Sequence, residues 1–129
     1  LVKCGMKCRV LNVSSVTYRT PQRCTTLYCA SKAAVSHMTK VMARELAPSG
    51  WVVNCFAPGK ILGTEMTDLV DRQVCQLRGW DASDADLYAK NLIPMGRFMD
   101  VKEASELAVQ VFNLGEYING ETIAANGGA

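Results

Sequence analysis

Residues 15–32 read SVTYRTPQRCTTLYCASK (Ser15–Lys32), and the reading of this stretch decides the rest of the chain. Tyr28 and Lys32 stand four apart at the opening of a helix-patterned run, so in a helix their side chains share one face. Ser15 precedes the tyrosine by thirteen residues and closes RVLNVS (residues 9 to 14), an alternating run that reads as a short buried strand. Residues 16 to 27 are polar, with Pro21, two arginines and four threonines; they read as a loop over the carboxyl end of that strand. A phenol beside an ammonium is a proton donor whose acidity the cation adjusts.

Residues 28 to 47 form the best-defined helix, with Val35, Met38, Met42 and Leu46 on one apolar face and Pro48 and Gly50 as its stop. WVVNCF (residues 51 to 56) is nearly continuous apolar sequence and fits a strand buried on both faces of a parallel sheet. Strand, helix and strand make a βαβ unit, and such crossovers are right-handed. Ala57-Pro58-Gly59 ends the second strand, where proline stops the ladder and glycine permits close backbone approach.

Residues 65 to 91 read as one or two helices broken at Gly79-Trp80, with Met66, Leu69, Val70, Val74 and Leu77 on one face and Leu87 and Leu92 marking a second helix. Such an excursion between sheet elements suits a lid over a pocket, and equally plain packing. Residues 100 to 114 read as a helix with Asp100 and Glu103 in a capping box. Its inner face is Val101, Ala104, Leu107, Ala108, Val111 and Phe112, and Gly115 ends it. Residues 121 to 125 read as a last short strand.

Composition fits one globular domain over residues 1–129: 49% of residues are hydrophobic and 20% charged. The net charge of +2 is scattered, with no basic stripe, which argues against a nucleic-acid partner. No apolar run is long enough to span a bilayer, so no membrane partner is expected. Cys4, Cys8, Cys24, Cys29, Cys55 and Cys75 match no disulfide framework and read as buried free thiols in a reducing cytoplasm. Cys4, Cys8 and the single His37 lack a fourth ligand at any zinc spacing, so no metal is expected; His37 itself reads as a surface or packed histidine.

A Tyr-x-x-x-Lys pair alone is weak, since any helix can carry one by chance. Order and context strengthen it, because Ser15, the Tyr28–Lys32 pair and the Pro58-Gly59 turn then lie along one edge of a parallel sheet. Here the chain resembles the short-chain dehydrogenase/reductase family. NVSS (12 to 15) is similar to that family's active-site serine segment and YCASKAAV (28 to 35) to its Tyr-x-x-x-Lys helix start. VNCFAPG (53 to 59), IPMGRF (93 to 98) and YINGETIAANGG (117 to 128) resemble its later landmarks.

The resemblance implies an NAD(P)-dependent oxidoreductase interconverting a carbonyl and a secondary alcohol. Its catalytic residues would be Ser15, Tyr28 and Lys32. Tyr28 would be the acid/base, Ser15 would bind the substrate oxygen, and Lys32 would tune Tyr28 and hold the nicotinamide ribose. The same resemblance assigns Pro58 and Gly59 to the nicotinamide wall and Ile61 to a backbone contact with the carboxamide. Thr64 would make a hydroxyl contact with the amide or pyrophosphate. It implies NAD or NADP without choosing, a small-molecule substrate, and a homo-oligomer, tetramer or dimer, for a full-length protein. Two positions depart from the pattern: Gly59 to Thr64 is one residue longer than in many members, and Val52 stands where many have arginine.

The family's glycine-rich dinucleotide turn has no counterpart in these residues. The chain therefore reads as the carboxyl-terminal half of a doubly wound, Rossmann-like α/β domain, with three layers and without the first strands. The alternative is a catalytically inactive truncated fragment serving as an interaction or assembly module through an open sheet edge. Fold does not choose among acyl-thioester, sugar, steroid and small-alcohol substrates.

Overall fold

A computed structural model of the chain describes residues 5–129, with the side chains of residues 82, 85, 86, 88 and 89 left aside. In order it forms β1 (Arg9–Val13), α1 (Thr26–Leu46), β2 (Val52–Pro58), α2 (Glu65–Arg78), α3 (Ala82–Asn91), α4 (Val101–Phe112) and β3 (Thr122–Ala125). Short 3₁₀ turns at Val16–Tyr18 and Ala47–Ser49 flank α1. The three strands form one parallel sheet in the order β1-β2-β3. The chain divides into two compact units, one running to Pro58 and taking in Glu106–Ala125, the other comprising Gly59–Ser105 and Asn126–Ala129.

The first unit holds the sheet. β2 is its middle strand, paired on both sides, and Val52–Ala57 are all buried. That is the pattern a continuous apolar run predicts for a parallel strand. β1 departs from expectation: it is half-buried, not buried, and Val13 is exposed, because it lies at an edge of the sheet. α1 starts two residues earlier than the pattern indicated, and the expected loop contains the Val16–Tyr18 turn.

The buried line of α1 also differs. Val35, Met38, Met42 and Leu46 were the expected face, but the buried residues are Ser36, Thr39 and Ala43, and Met38 is exposed. Small side chains allow close approach: a Cβ on Gly120, whose φ is +85°, would lie 3.1 Å from Ala43 Cβ. The buried hydroxyls are satisfied. Ser36 Oγ lies 2.7 Å from Thr122 Oγ1, and Thr39 Oγ1 accepts from Asn12 Nδ2 at 3.0 Å while donating to Val35 O.

Two asparagine side chains fasten β2 to the segment leading into β3. Asn119 behaves like an extra ladder residue, accepting from Val53 N–H at 2.8 Å and donating to Trp51 O at 2.9 Å. Asn54, only 2% exposed, donates to Ile118 O at 2.7 Å and accepts from Glu121 N–H at 3.0 Å. Replacing Asn54 by alanine leaves the Ile118 carbonyl and the Glu121 amide without their part-buried side-chain partner and empties a buried position. The expected loss is about 2–4 kcal/mol in urea unfolding; a change within measurement error would show the clamp to be dispensable. On the far side of the sheet Arg9 Nη1 donates to Phe112 O and Leu114 O, covering carbonyls left open at the end of α4.

In the second unit Thr64 caps α2, accepting from Thr67 N–H at 3.1 Å, and Gly79 closes it in the left-handed region at φ +65°. The break at Gly79-Trp80 does separate α2 from α3. The expected apolar face of α2 does not pack: Met66, Leu69, Val70 and Leu77 are exposed, as are Leu87 and Leu92 further on. Asp100 accepts from Glu103 N–H at 2.8 Å, so the cap on α4 forms. The box does not close, because the Glu103 carboxylate takes both Arg97 Nη atoms at 2.7 and 2.9 Å. A bidentate guanidinium outcompetes a single backbone amide for that carboxylate. Along α4, Ala104 and Val111 are buried as expected, whereas Val101 and Phe112 are exposed.

Candidate active site

β1 carries its ladder one residue past its end, since Ser14 N–H donates to Phe56 O at 2.8 Å. Ser15 is therefore the first residue free of the sheet, in extended conformation and 8% exposed. It caps the Val16–Tyr18 turn, its Oγ accepting from Thr17 N–H at 3.3 Å. The bond uses the oxygen as acceptor, so the hydroxyl proton is left for another partner.

Ser14 Oγ donates to Lys32 O at 2.7 Å and so pins the first turns of α1 to β1. Tyr28 lies in the first turn of that helix and is 38% exposed. Lys32, one turn on, places its Nζ 5.7 Å from the centre of the Tyr28 ring. The same Nζ donates to Val13 O at 3.3 Å. One strand end and one helix start thus hold Ser15, Tyr28 and Lys32 in a single unit. An ammonium has three donors, so the bond to Val13 leaves two for a ligand's hydroxyls.

Thr17 and Cys29 were not singled out from the pattern. Thr17 is 6% exposed, and its Oγ1 is buried without a hydrogen-bond partner among the described residues. Cys29 Sγ lies 3.0 Å from Thr25 Oγ1. That hydroxyl, then the Gln22 backbone and, more weakly, the Thr17 hydroxyl hold the Cys29 thiol pKa below its ordinary value, against a smaller opposing effect of burial. The signal was a cysteine at the fourth position of a helix, where a cap can reach it, but nothing in the spacing tied it to Thr17.

The remaining candidates fall at or beyond the end of β2. Pro58 is the last residue of the strand and is half-buried. In the second unit, taken by itself, Gly59 leads into Lys60, which pairs with Asp71 at 2.7 Å and stands 4.5 Å from the Phe98 ring centre. Ile61 forms an isolated parallel bridge with Met99, made through Leu62 N–H to Met99 O at 2.9 Å. Ile61 O accepts from Thr67 Oγ1 at 2.6 Å, and Thr64 Oγ1 donates to Thr67 Oγ1 at 2.8 Å. Thr64 is thus engaged in capping α2, and Gly63 turns the chain into the cap at φ +77°.

The described residues contain no group of three potential metal ligands and no helix long and apolar enough to cross a membrane. Of the described cysteines only Cys55 is buried, contrary to the expectation for the set; Cys24 is exposed, and none is in a disulfide. Cys4 lies outside the described residues.

Comparison with known proteins follows the same residues. A family model described as short chain dehydrogenase matches residues 2–74. The chain is 34% identical over 121 residues to a 3-oxoacyl-[acyl-carrier-protein] reductase of Aquifex aeolicus, covering 93% of this chain and 44% of that protein. It is 31% identical over 121 residues to galactitol 2-dehydrogenase of Agrobacterium fabrum, covering 93% and 47%. Among solved structures, a 3-oxoacyl (acyl-carrier-protein) reductase from Agrobacterium tumefaciens C58 with NADP bound superposes with a TM-score of 0.77. That structure is 29% identical, with 99% of this chain and 46% of that one covered. The chain spans about half the length of the relatives it matches.

Proposed function

Because the chain belongs to the short-chain dehydrogenase family, we propose that it is the carboxyl-terminal half of an NAD(P)-dependent oxidoreductase interconverting a carbonyl and a secondary alcohol. The observation that carries this reading is Lys32, whose ammonium is anchored on Val13 O and directed at the Tyr28 ring. A phenol beside a cation, in the same unit as a serine hydroxyl with its proton to spare, can move a proton to or from an oxygen bound there.

NAD or NADP, when bound, supplies or accepts the hydride. Tyr28 passes the phenolic proton to the developing alkoxide in reduction and withdraws it in oxidation. Ser15 donates to the substrate oxygen and orients it. Lys32 supplies the positive charge that a phenolate needs beside it, and its two remaining donors suit vicinal ribose hydroxyls. Pro58 and Gly59 end β2 and form the wall for the nicotinamide. Ile61 contributes its backbone N–H, which the bridge to Met99 does not use. Thr64 reaches the amide or pyrophosphate only by sharing its hydroxyl with the cap on α2.

Relatives that act on acyl thioesters and on a sugar alcohol match about equally well, so the proposal stops at the carbonyl/alcohol class. The cysteines, free of disulfides wherever described, suit the cytoplasm. Exposed Val109, Phe112, Tyr117 and Ile118 suit a subunit contact in a full-length homo-oligomer.

The test is NAD(P)H oxidation by the full-length protein against a panel of 3-oxoacyl thioesters, ketoses and small diketones. Turnover of at least one class is expected. Absence of turnover on all of them, with cofactor shown to bind, would leave the chain as an assembly module. The 129 residues alone are expected to quench or enhance NAD(P)H fluorescence only weakly; tight binding by them would refute the half-site reading.

A further inference from the structure

Ser14 is 3% exposed and is tied in two directions. Its N–H donates to Phe56 O at 2.8 Å, which keeps it in register with β2, while its Oγ donates to Lys32 O at 2.7 Å. Lys32 O lies within α1, where the helix ladder already supplies it with a donor. The serine bond is therefore not what satisfies that carbonyl; it fixes where the Lys32 backbone stands relative to β1. The other end of the same residue is held one position earlier on the strand, since Lys32 Nζ donates to Val13 O at 3.3 Å. Consecutive residues of one strand end thus grip both ends of Lys32. A lysine side chain has many rotamers, and fixing its root relative to the carbonyl that takes its head leaves few of them. Ser15, next in the chain, uses its Oγ to accept from Thr17 N–H, so the two adjacent serines serve different neighbours.

We propose that Ser14 is a positioning residue that acts through Lys32, setting where the ammonium stands beside the Tyr28 ring. The contact reaches the site in one step, because Lys32 Nζ lies 5.7 Å from the ring centre. Ser36 offers the contrast. It is 4% exposed and one turn further along α1, and its Oγ meets Thr122 Oγ1 at 2.7 Å, so it docks the same helix through β3 instead. The placement of the ammonium stands on geometry alone; its consequence for turnover rests on the proposed oxidoreductase reading.

The test has two arms, both on the full-length protein. The first labels lysines with trace acetic anhydride and maps them by peptide mass, with exposed Lys40 of the same helix as the reference. Ser14→Ala is expected to raise labelling of Lys32 relative to Lys40 severalfold, because the ammonium loses its hold on Val13 O. Ser14→Cys, a weak donor of similar shape, is expected to show a smaller rise. Ser36→Ala is expected to change nothing. An unchanged ratio in the folded Ser14 variants overturns the positioning, and so does an equal rise in Ser36→Ala.

The second arm is a kinetic cycle. Ser14→Ala is expected to lower kcat about tenfold and raise the KM for the dinucleotide severalfold. With Lys32 already replaced by methionine, the same change is expected to alter kcat less than about twofold, since residues acting as one unit are not additive. Equal losses in both backgrounds would show the serine acting elsewhere and overturn the proposal. Undiminished kcat and KM in a Ser14→Ala whose Lys32 labelling has risen overturns the catalytic consequence. Raised labelling in a protein that reduces no carbonyl leaves the positioning standing and sinks the functional reading.

Discussion

Replacing Tyr28 by phenylalanine in the full-length protein is expected to lower kcat about a thousandfold, within the range for loss of a general acid–base group. The fold should not notice. Tyr28 is 38% exposed, and the described hydrogen bonds at this residue involve its backbone, including Ser31 Oγ to Tyr28 O at 2.7 Å. Thermal unfolding should therefore move little while NAD(P)H oxidation collapses. Cofactor affinity should stay within a few-fold, because the ring and its contact with Lys32 survive the change. Near-normal turnover by the phenylalanine variant would remove Tyr28 from the chemistry and, with it, the reading of the whole site.

Lys32→Met should cost turnover about a hundredfold and also raise the KM for the dinucleotide, the signature of a residue that serves both steps. Methionine keeps most of the volume and removes the charge, so the packing of α1 is preserved. Val13 O, its partner at the edge of the sheet, turns to water at little expense, since that bond is solvent-exposed. Lys32→Arg should restore part of kcat and less of the cofactor affinity, because a planar guanidinium does not present donors as an ammonium does. A loss confined to kcat, or to KM, would separate the two roles assigned here to one side chain.

Much of this was legible before any coordinates. The Tyr28–Lys32 spacing fixes a shared helix face by geometry alone. The apolar run WVVNCF (51 to 56) calls for cover on both faces, as β2 has; its place as the middle strand comes from its pairing on both sides. What escaped reading has common physical causes. Apolar periodicity ranks side chains by transfer energy, whereas the buried line of α1 was selected for closeness. Ser36, Thr39 and Ala43 win there because they are small and their hydroxyls find partners. Asn119 stands in for a strand residue through its side-chain amide, a role no strand pattern encodes. At the site, Lys32 is anchored by a backbone carbonyl and its own carbonyl is held by Ser14 Oγ, and neither contact leaves a trace in spacing. Glu103 illustrates competition: the local motif is intact, but Arg97 offers its carboxylate a stronger pair.

The central position of β2 also orders the assembly of the sheet in time. β1 joins β2 after a single helix, whereas β3 reaches the same strand only after three. Loop-closure entropy grows with the chain enclosed, so the first pairing carries the smaller entropic barrier and the second the larger one. Ser15, Tyr28 and Lys32 all lie within the shorter loop. The proton-handling trio thus belongs to the part of the sheet with the lower contact order, and β3, docked through Asn54 and Asn119 on the other side of β2, joins a site whose geometry does not wait for it.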